Sequence, residues 1–587
     1  MNVLLLFKNI IKMKRVSIII IGIVLALGIT SCGSNRTYQQ KVSAMISKIK
    51  SPFLITSLKP QNLIDKSGVN EDGVLPYTYQ TLTSFFLQEE GTGVDYDERL
   101  QIVLAKGPMI PNVYGFFRIQ DQALFKEMVK SELNAKIKDK EGTNYFIKDK
   151  DGYVLAWQDG IGIVANIPFD IKAMFSGGGD DGHKTLNRMI ALFEASTEAE
   201  INKDYQTFLT KSDDVNMYLM PDSLMDYINE LNPLGQKKNK TNSFEELKDS
   251  KIELVLNFEK GKAILQSDMK FSDEFLAKVN FINDKGVENT YLSFGKSPNP
   301  LTVYSLNVDL EKYLTFIDDF SKGQMLSDIN ENLSKFGLTA DDVVKAFKGE
   351  ILVMFDGLNI QSKTVDYGYG EPFEEQNIEP LLGIVIGIKD QSILNQLFAD
   401  AEVVSEQMIK MEDLFVVLKD DKMFMSNDSL WADIVMKGQG VSIKANKVIN
   451  NQPIASYTDF ENEKIAEYFK KEGYDPTAIL ESVVMFTNVT NGEIVLNLKN
   501  KKDNSLKVLV KFYSDLMADY EAQQNEEMQQ ILDQEILDNL NESMEQLDSV
   551  VDVAGQAIDD ALENVDVDEV IDDATKEMNK LLDEIKH

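Results

Sequence analysis

The sequence predicts an α+β protein: two tandem copies of an antiparallel-sheet-plus-helix unit, followed by an acidic helical tail. Three observations lead there. Apolar strand-like runs broken by Gly, Asp and Asn turns alternate with amphipathic segments such as ALFKEMVKSEL and SILNQLFADAEVV. Short blocks of the first half recur in the same order in the second. From Glu521 the composition shifts to Gln, Glu, Asp, Leu and Ile, with 21 acidic against 3 basic residues up to position 587. Hairpin turns imply antiparallel pairing, and helices laid on such sheets define the class.

The chain begins with an apolar run, Val16 to Ile29 (VSIIIIGIVLALGI), behind Lys8, Lys12, Lys14 and Arg15. About 14 residues fall short of the roughly 20 that span a bilayer, and a basic flank before a short apolar core matches a secretory signal. Met13 is a more typical signal start than Met1. Ile29-Thr30-Ser31-Cys32 then sets the single cysteine of the chain behind two small residues.

This pattern resembles the lipobox of bacterial lipoproteins. The resemblance implies that residues 1–31 are a signal peptide cut between Ser31 and Cys32, that the Cys32 thiol carries diacylglycerol, and that the new amine is usually acylated. Each buried methylene contributes about 0.8 kcal/mol, so one chain anchors marginally and two or three anchor stably. Residues 32–50 read as a polar tether and a first helix. The stretch GSNRTYQQ has no acidic residue. In Bacteroidota an acidic stretch there resembles a surface-export tag, and its absence favours the periplasmic face of the outer membrane.

Length alone corresponds to about three or four domains, and 43% hydrophobic residues suffice for their cores. Lys and Arg number 60 against 95 Asp and Glu, a formal charge of -35. Nucleic acid and anionic headgroups bind basic patches, so nucleic acid is excluded as a partner and the membrane is met through the lipid. With Cys32 acylated no thiol remains, and His183 and His587 are the only histidines. His/Cys zinc sites and thiolate chemistry are thereby excluded; no metal, cofactor or catalytic residue is assigned.

The first copy is expected at residues 51–295 and the second at 296–520. FLITSL running into a helix around Leu63 matches LTVYSLNVDLEKYLTFI, with Ser57-Leu58 on Ser305-Leu306. QIVLAKG ending at Gly107 matches EILVMFDG ending at Gly357, and Asp121-Gln122 matches Asp390-Gln391. The offset grows from 250 to 269, so the second copy gains nineteen residues, assigned to an exposed loop at DYGYGEPFEEQ. YFIKDKDGYVLAW is set against FVVLKDDKMFM, and LVLNFEKGKAIL against VMFTNVTNGEIVL, with Asn257 on Asn488 and Gly261 on Gly492.

This layout behind a lipobox, including INKDYQTFLTKSDDVNMYL, resembles a family of large uncharacterised Bacteroidota lipoproteins classed only as a domain of unknown function. It covers roughly residues 32–520. The resemblance implies residence in the cell envelope and brings no site residues.

Individual motifs read blandly. SGGGDDGHKT is no phosphate loop, because His183 separates Gly182 from Lys184; it reads as an interdomain loop, where nothing holds His183 as a catalytic base. KDKDGYVLAWQ as a calcium loop would place Ile147 and Gln158 at two ligand positions, so a hairpin turn explains it better. Trp157 and Trp431 occupy no matched positions. Asp222-Ser223-Leu224, Asp428-Ser429-Leu430 and Asp548-Ser549-Val550 resemble the O-glycosylation motif of exported Bacteroidota proteins, which makes Ser223, Ser429 and Ser549 candidate acceptors.

In the tail (521–587), Leu532, Ile536, Leu540, Met544, Leu547, Val551, Ala554, Ile558, Leu562 and Val565 recur every ~3.67 residues, the period of a nearly straight helix. Asp566 and Glu569 read as a cap opening a second helix with Val570, Ala574, Met578, Leu581 and Ile585 on one face. The expected function is a non-enzymatic, lipid-anchored envelope protein that binds or scaffolds an envelope partner. A carboxylate hydrolase, with or without a divalent cation, and a carrier of an apolar ligand stay open as alternatives.

Replacing Cys32 by Ala is expected to leave an uncleaved precursor, whereas the wild type partitions into detergent and carries acyl mass. Release of the wild type into the soluble fraction without detergent would overturn the anchor.

Overall fold

PFLITSL (Pro52–Leu58) alternates by the strand period of two: Phe53, Ile55 and Ser57 are buried while their neighbours are half-exposed. The same alternation recurs along the chain in a computed structural model that describes residues 36–69, 91–148, 151–168, 181–231, 247–321, 323–365, 373–398, 401–405, 407–445, 449–462, 469 and 475–520, with scattered positions from 522 to 576.

Among the described residues twenty strands result. The first ten are β1 (Pro52–Leu58), β2 (Leu100–Ala105), β3 (Asn112–Arg118), β4 (Lys138–Lys140), β5 (Thr143–Lys148), β6 (Tyr153–Gln158), β7 (Ile161–Asn166), β8 (Val215–Leu219), β9 (Lys251–Glu259) and β10 (Lys262–Lys270). The others are β11 (Thr302–Asn307), β12 (Phe347–Val365), β13 (Phe373–Ile388), β14 (Glu402–Ser405), β15 (Met408–Met411), β16 (Leu414–Lys419), β17 (Lys422–Ser426), β18 (Ile454–Asp459), β19 (Leu480–Thr487) and β20 (Asn491–Leu498). The helices used below are α1 (Tyr38–Ile46), α2 (Pro60–Ser67), α3 (Gln122–Ser131), α4 (Asp181–Glu198), α5 (Lys203–Leu209), α6 (Gln391–Leu397) and α7 (Ser429–Met436).

All pairings are antiparallel, and they chain the strands into one sheet. From one edge the order is β4-β5-β6-β7-β3-β2-β1-β8-β9-β10; it continues through β20-β19-β18-β11-β12-β13-β17-β16-β15-β14. Read inward from either edge, the strands of each half come in the same order. The protein is α+β, built from helices on an antiparallel sheet.

Helices cover both faces of each half. In the first, Val42, Met45, Leu186, Met189 and Phe193 from α1 and α4 pack on Ile55, Val103, Phe116 and Ile163. On the opposite face Phe125 and Val129 of α3 meet Phe117, Leu155 and Trp157. In the second, Trp431 and Val435 of α7, with a 3₁₀ turn at Asn289–Phe294, pack on Val303, Leu352 and Val385, and Leu394 of α6 meets Val416 and Met423 on the other face. Gly383 lets the Trp431 ring reach the backbone of β13, since a Cβ there would lie 2.5 Å from it.

The first helix expected within residues 32–50 is α1, opened by a Thr37–Gln40 capping box and buried in the first core. Other expectations change. Val287, Tyr291 and Phe294, placed in the first copy by a boundary at 295, pack in the second core. The described residues up to Phe512 form one compact unit and those from Tyr513 another, fewer than length suggests. Of SGGGDDGHKT, read as an interdomain loop, the described part Asp181–Thr185 is helix: Asp181 opens α4, and Leu186, Met189, Ile190 and Phe193 share its buried face at helical spacing.

The nineteen added residues lengthen a hairpin: β12 and β13 stay paired as far as Val365 and Phe373, so Phe373–Gln376 of the expected loop is strand. FVVLKDDKMFM forms β16–β17, and its counterpart by place in the sheet is β6–β7, one hairpin later than YFIKDKDGYVLAW. Asp159 and Asp420, both at positive φ, mark the matching turns. Successive hairpins of a meander repeat one pattern of apolar strands around an acidic turn, so pattern alone does not distinguish neighbours.

Residues 505–520 are helical, as is every described position from 522 to 534. Of the two tail stripes, Ile536 and everything C-terminal to it lie outside the described residues.

Trp157 and Trp431 are both fully buried, one in each half. The single-tryptophan variants Trp157→Phe and Trp431→Phe are expected to show coincident denaturant midpoints by fluorescence and circular dichroism, because one hydrogen-bonded sheet joins their surroundings. Separated fluorescence and dichroism transitions within either variant would show halves that unfold independently.

Candidate functional site

The C-terminal end of α1, the end of β2, the start of β3 and one side of α4 enclose a groove of about 710 Å³. Its wall is apolar, with Ile49, Ala105, Tyr114, Leu192 and Ala195. Ala191 and Ala195 stand one turn apart on α4 with Ala199 just past its end, and Ala195 and Ala199 pack against Ala44 of α1. Lys48, Lys50, Lys106 and Arg188 stand at the rim with Glu194 and Glu198. A second depression of about 590 Å³ shares Lys106, Asn112 and Arg188 and adds Lys184 and Glu230. Together five cations face three carboxylates. Lys106 pairs with Glu230 at 2.6 Å, and Arg188 donates to Thr185 Oγ1 at 2.9 Å.

Two smaller cavities of about 390 Å³ occupy matching places in the two halves. One lies between α1 and the β6–β7 turn, the other between the 3₁₀ turn and the β16–β17 turn. In the first, Glu98 accepts from Gln39, from the Arg99 amide (3.0 Å) and from Arg118 (3.4 Å). Burial pushes the Glu98 carboxyl upward, and Asp95 adds to this while Arg118 opposes it. Tyr38 donates to Gln101 at 2.9 Å, and burial raises its phenol well above the ordinary range. Arg99, buried beneath, donates to Ser57 Oγ and to the carbonyls of Asp213 and Ser57; burial lowers its guanidinium to about 10.

In the second half, Tyr291 donates to Glu350 at 2.7 Å, and burial first, then that carboxylate, raise its phenol strongly. Lys422 sits 4.9 Å from the Tyr291 ring centre and pairs with Asp421 at 2.6 Å. Lys348 pairs with the same carboxylate, and the two ammonium groups hold Asp421 far below the ordinary carboxylate range. These polar groups are tied to one another and fix turns against the preceding segment.

The residues singled out from sequence are scattered. Ser31, Cys32 and Ser549 lie outside the described residues. His183 is exposed in the first turn of α4. Ser223 is half-buried near the start of the helix Pro221–Leu231, and Ser429 is exposed at the start of α7. Asp428 caps α7 through the amides of Leu430 and Trp431 and pairs with Lys296 at 2.5 Å, which gives the Asp-Ser-Leu triplet there a structural reason. Both tryptophans are core residues. No described helix is long and apolar enough to cross a membrane. Groove residues Lys48, Lys50, Lys106 and Arg188 went unnoticed in the sequence. A signal was present: no acidic residue precedes Asp65 in a chain of charge -35.

No family model and no curated protein matches the chain. Among solved structures, crystal forms I, III and IV of TP0453 are similar to it at 10–11% identity, over 42–43% of this chain and 90–91% of theirs, with TM-scores of 0.23–0.24.

A carboxylate whose folded pKa is depressed adds stability above its unfolded value, and that stability fades as pH falls toward the folded one. Asp421→Asn is therefore expected to lower the urea midpoint by a constant amount above about pH 5, with the gap to wild type narrowing below about pH 4. A gap independent of pH down to pH 2 would show that the charge of Asp421 contributes nothing.

Proposed function

We propose that this chain is a lipid-anchored cell-envelope protein, held by acylated Cys32 and facing the periplasm, whose tandemly repeated α+β body binds or scaffolds another envelope component without transforming it. The repeated strand order, read inward from both edges of the sheet, is the observation that carries this reading. Duplication and edge-to-edge fusion of one ten-strand unit account for that order. The groove beside α4 offers a place to hold a ligand.

A second reading, a carboxylate hydrolase, is favoured by Glu98, whose carboxyl burial pushes upward at the edge of a cavity that also holds Arg118. It ranks second because Gln39, Arg118 and the Arg99 amide already occupy that carboxylate.

Crosslinking in cells followed by pull-down from native membranes is expected to return one defined envelope component, at the same yield from Glu98→Gln as from wild type. Failure to enrich any component, together with hydrolysis of an envelope polymer that Glu98→Gln abolishes, would replace binding by catalysis.

A further inference from the structure

We propose that the groove between α4 and the end of β2 binds an organic anion with an apolar body, its head against Lys106 and Arg188 and its body along Tyr114, Leu192 and Ala195. This rests on the binding reading above and adds the chemistry of the ligand. The groove's 710 Å³ falls within the ~300–1,000 Å³ of small-molecule sites, and such sites combine an apolar wall with a few placed polar groups.

Charge selects the ligand. Acidic residues exceed basic ones by 35 in this chain, yet among the described residues five cations and three carboxylates line the groove and its extension, an excess of two positive charges. Lys48, Lys50 and Arg188 make no ion pair among the described residues. Lys184 and Arg188 stand one turn apart in the first half of α4. Like charges at that spacing repel, and an anion held between Arg188 and Lys106 would offset that repulsion. Glu194 and Glu198 lie nearly two and nearly three turns beyond Arg188 on α4, so the head belongs at the Lys106 end and the apolar body runs toward Ala195.

The chain delivers these cations from separate segments. Lys48 and Lys50 close the acid-free stretch after α1, Lys106 follows β2, and Arg188 projects from α4. Convergence of three segments on one groove distinguishes it from a run of solvated lysines.

Calorimetric titration of the full chain with decanoate tests the proposal, with decanol as the neutral body of equal length and inorganic phosphate as the head alone. Decanoate is expected to bind at one site, about tenfold or more tightly than either control. Arg188→Gln should weaken decanoate by about tenfold and leave decanol unchanged, and Ala191→Trp at the exposed lip should weaken both. Thermal melts confirm that each variant is folded. Decanol binding as tightly as decanoate, phosphate alone reproducing the affinity, an unchanged affinity in folded Arg188→Gln, or no binding of decanoate would each overturn the proposal. An intact crosslinked partner alongside any of these would remove the groove's ligand and leave the binding reading standing.

Discussion

Seven residue pairs between β10 and β20, from Lys262 with Asn497 to Asp268 with Asn491, carry the hydrogen-bond ladder from one half of the sheet into the other. Without them each half would end in a bare strand whose N–H and C=O groups lack partners, the usual template for unwanted association. Joining the two ends satisfies both at once. β9, β10, β19 and β20 are half-exposed along most of their length. Backbone pairing and cross-strand contacts therefore hold the middle of the sheet more than helical cover does. At Gly492 the approach is close enough that a Cβ would lie 2.7 Å from Ser267 Oγ. Because the ladder is continuous, the tightly packed outer parts of the sheet support its thinner centre.

Charge follows a second pattern. Lysines of this acidic chain are paired with carboxylates: Lys66 with Asp214, Lys296 with Asp428, and Lys348 and Lys422 with Asp421. Exposed ion pairs contribute ~0–1 kcal/mol each. Asp214 and Lys422, however, have side chains only 3% and 6% exposed, and loss of either one's partner would strand a buried charge. The groove beside α4 is the other departure. There cations from an acid-free N-terminal stretch meet those of α4 with fewer carboxylates to answer them.

Much of the fold was legible in the sequence because it rests on local rules. Apolar runs marked β1 and β11, and Gly, Asp and Asn turn residues marked the hairpins. ALFKEMVKSEL and the start of SILNQLFADAEVV read as amphipathic helices and form α3 and α6, capped by Asp121 and Asp390, each of which accepts from amides of its first turn. Errors arose where one pattern repeats in neighbouring hairpins, where an acidic glycine-rich stretch hid the start of α4, and where a long hairpin arm was read as loop. The groove was harder. Lys50, Lys106 and Arg188 are far apart in the chain, and nothing in their separate neighbourhoods says that they meet.

The sequence by itself determined the class of fold, the order of helices and strands, the bias of charge and the basic, apolar start that ends at Cys32, because each depends on neighbours within a few residues. Only the tertiary structure decided that the twenty described strands form one antiparallel sheet, that Val287, Tyr291 and Phe294 join the second core, and that five cations line one groove and its extension. Those outcomes depend on which edges pair and which faces are buried, and pairing across more than two hundred residues, as between Lys262 and Asn497, leaves no local trace in either strand.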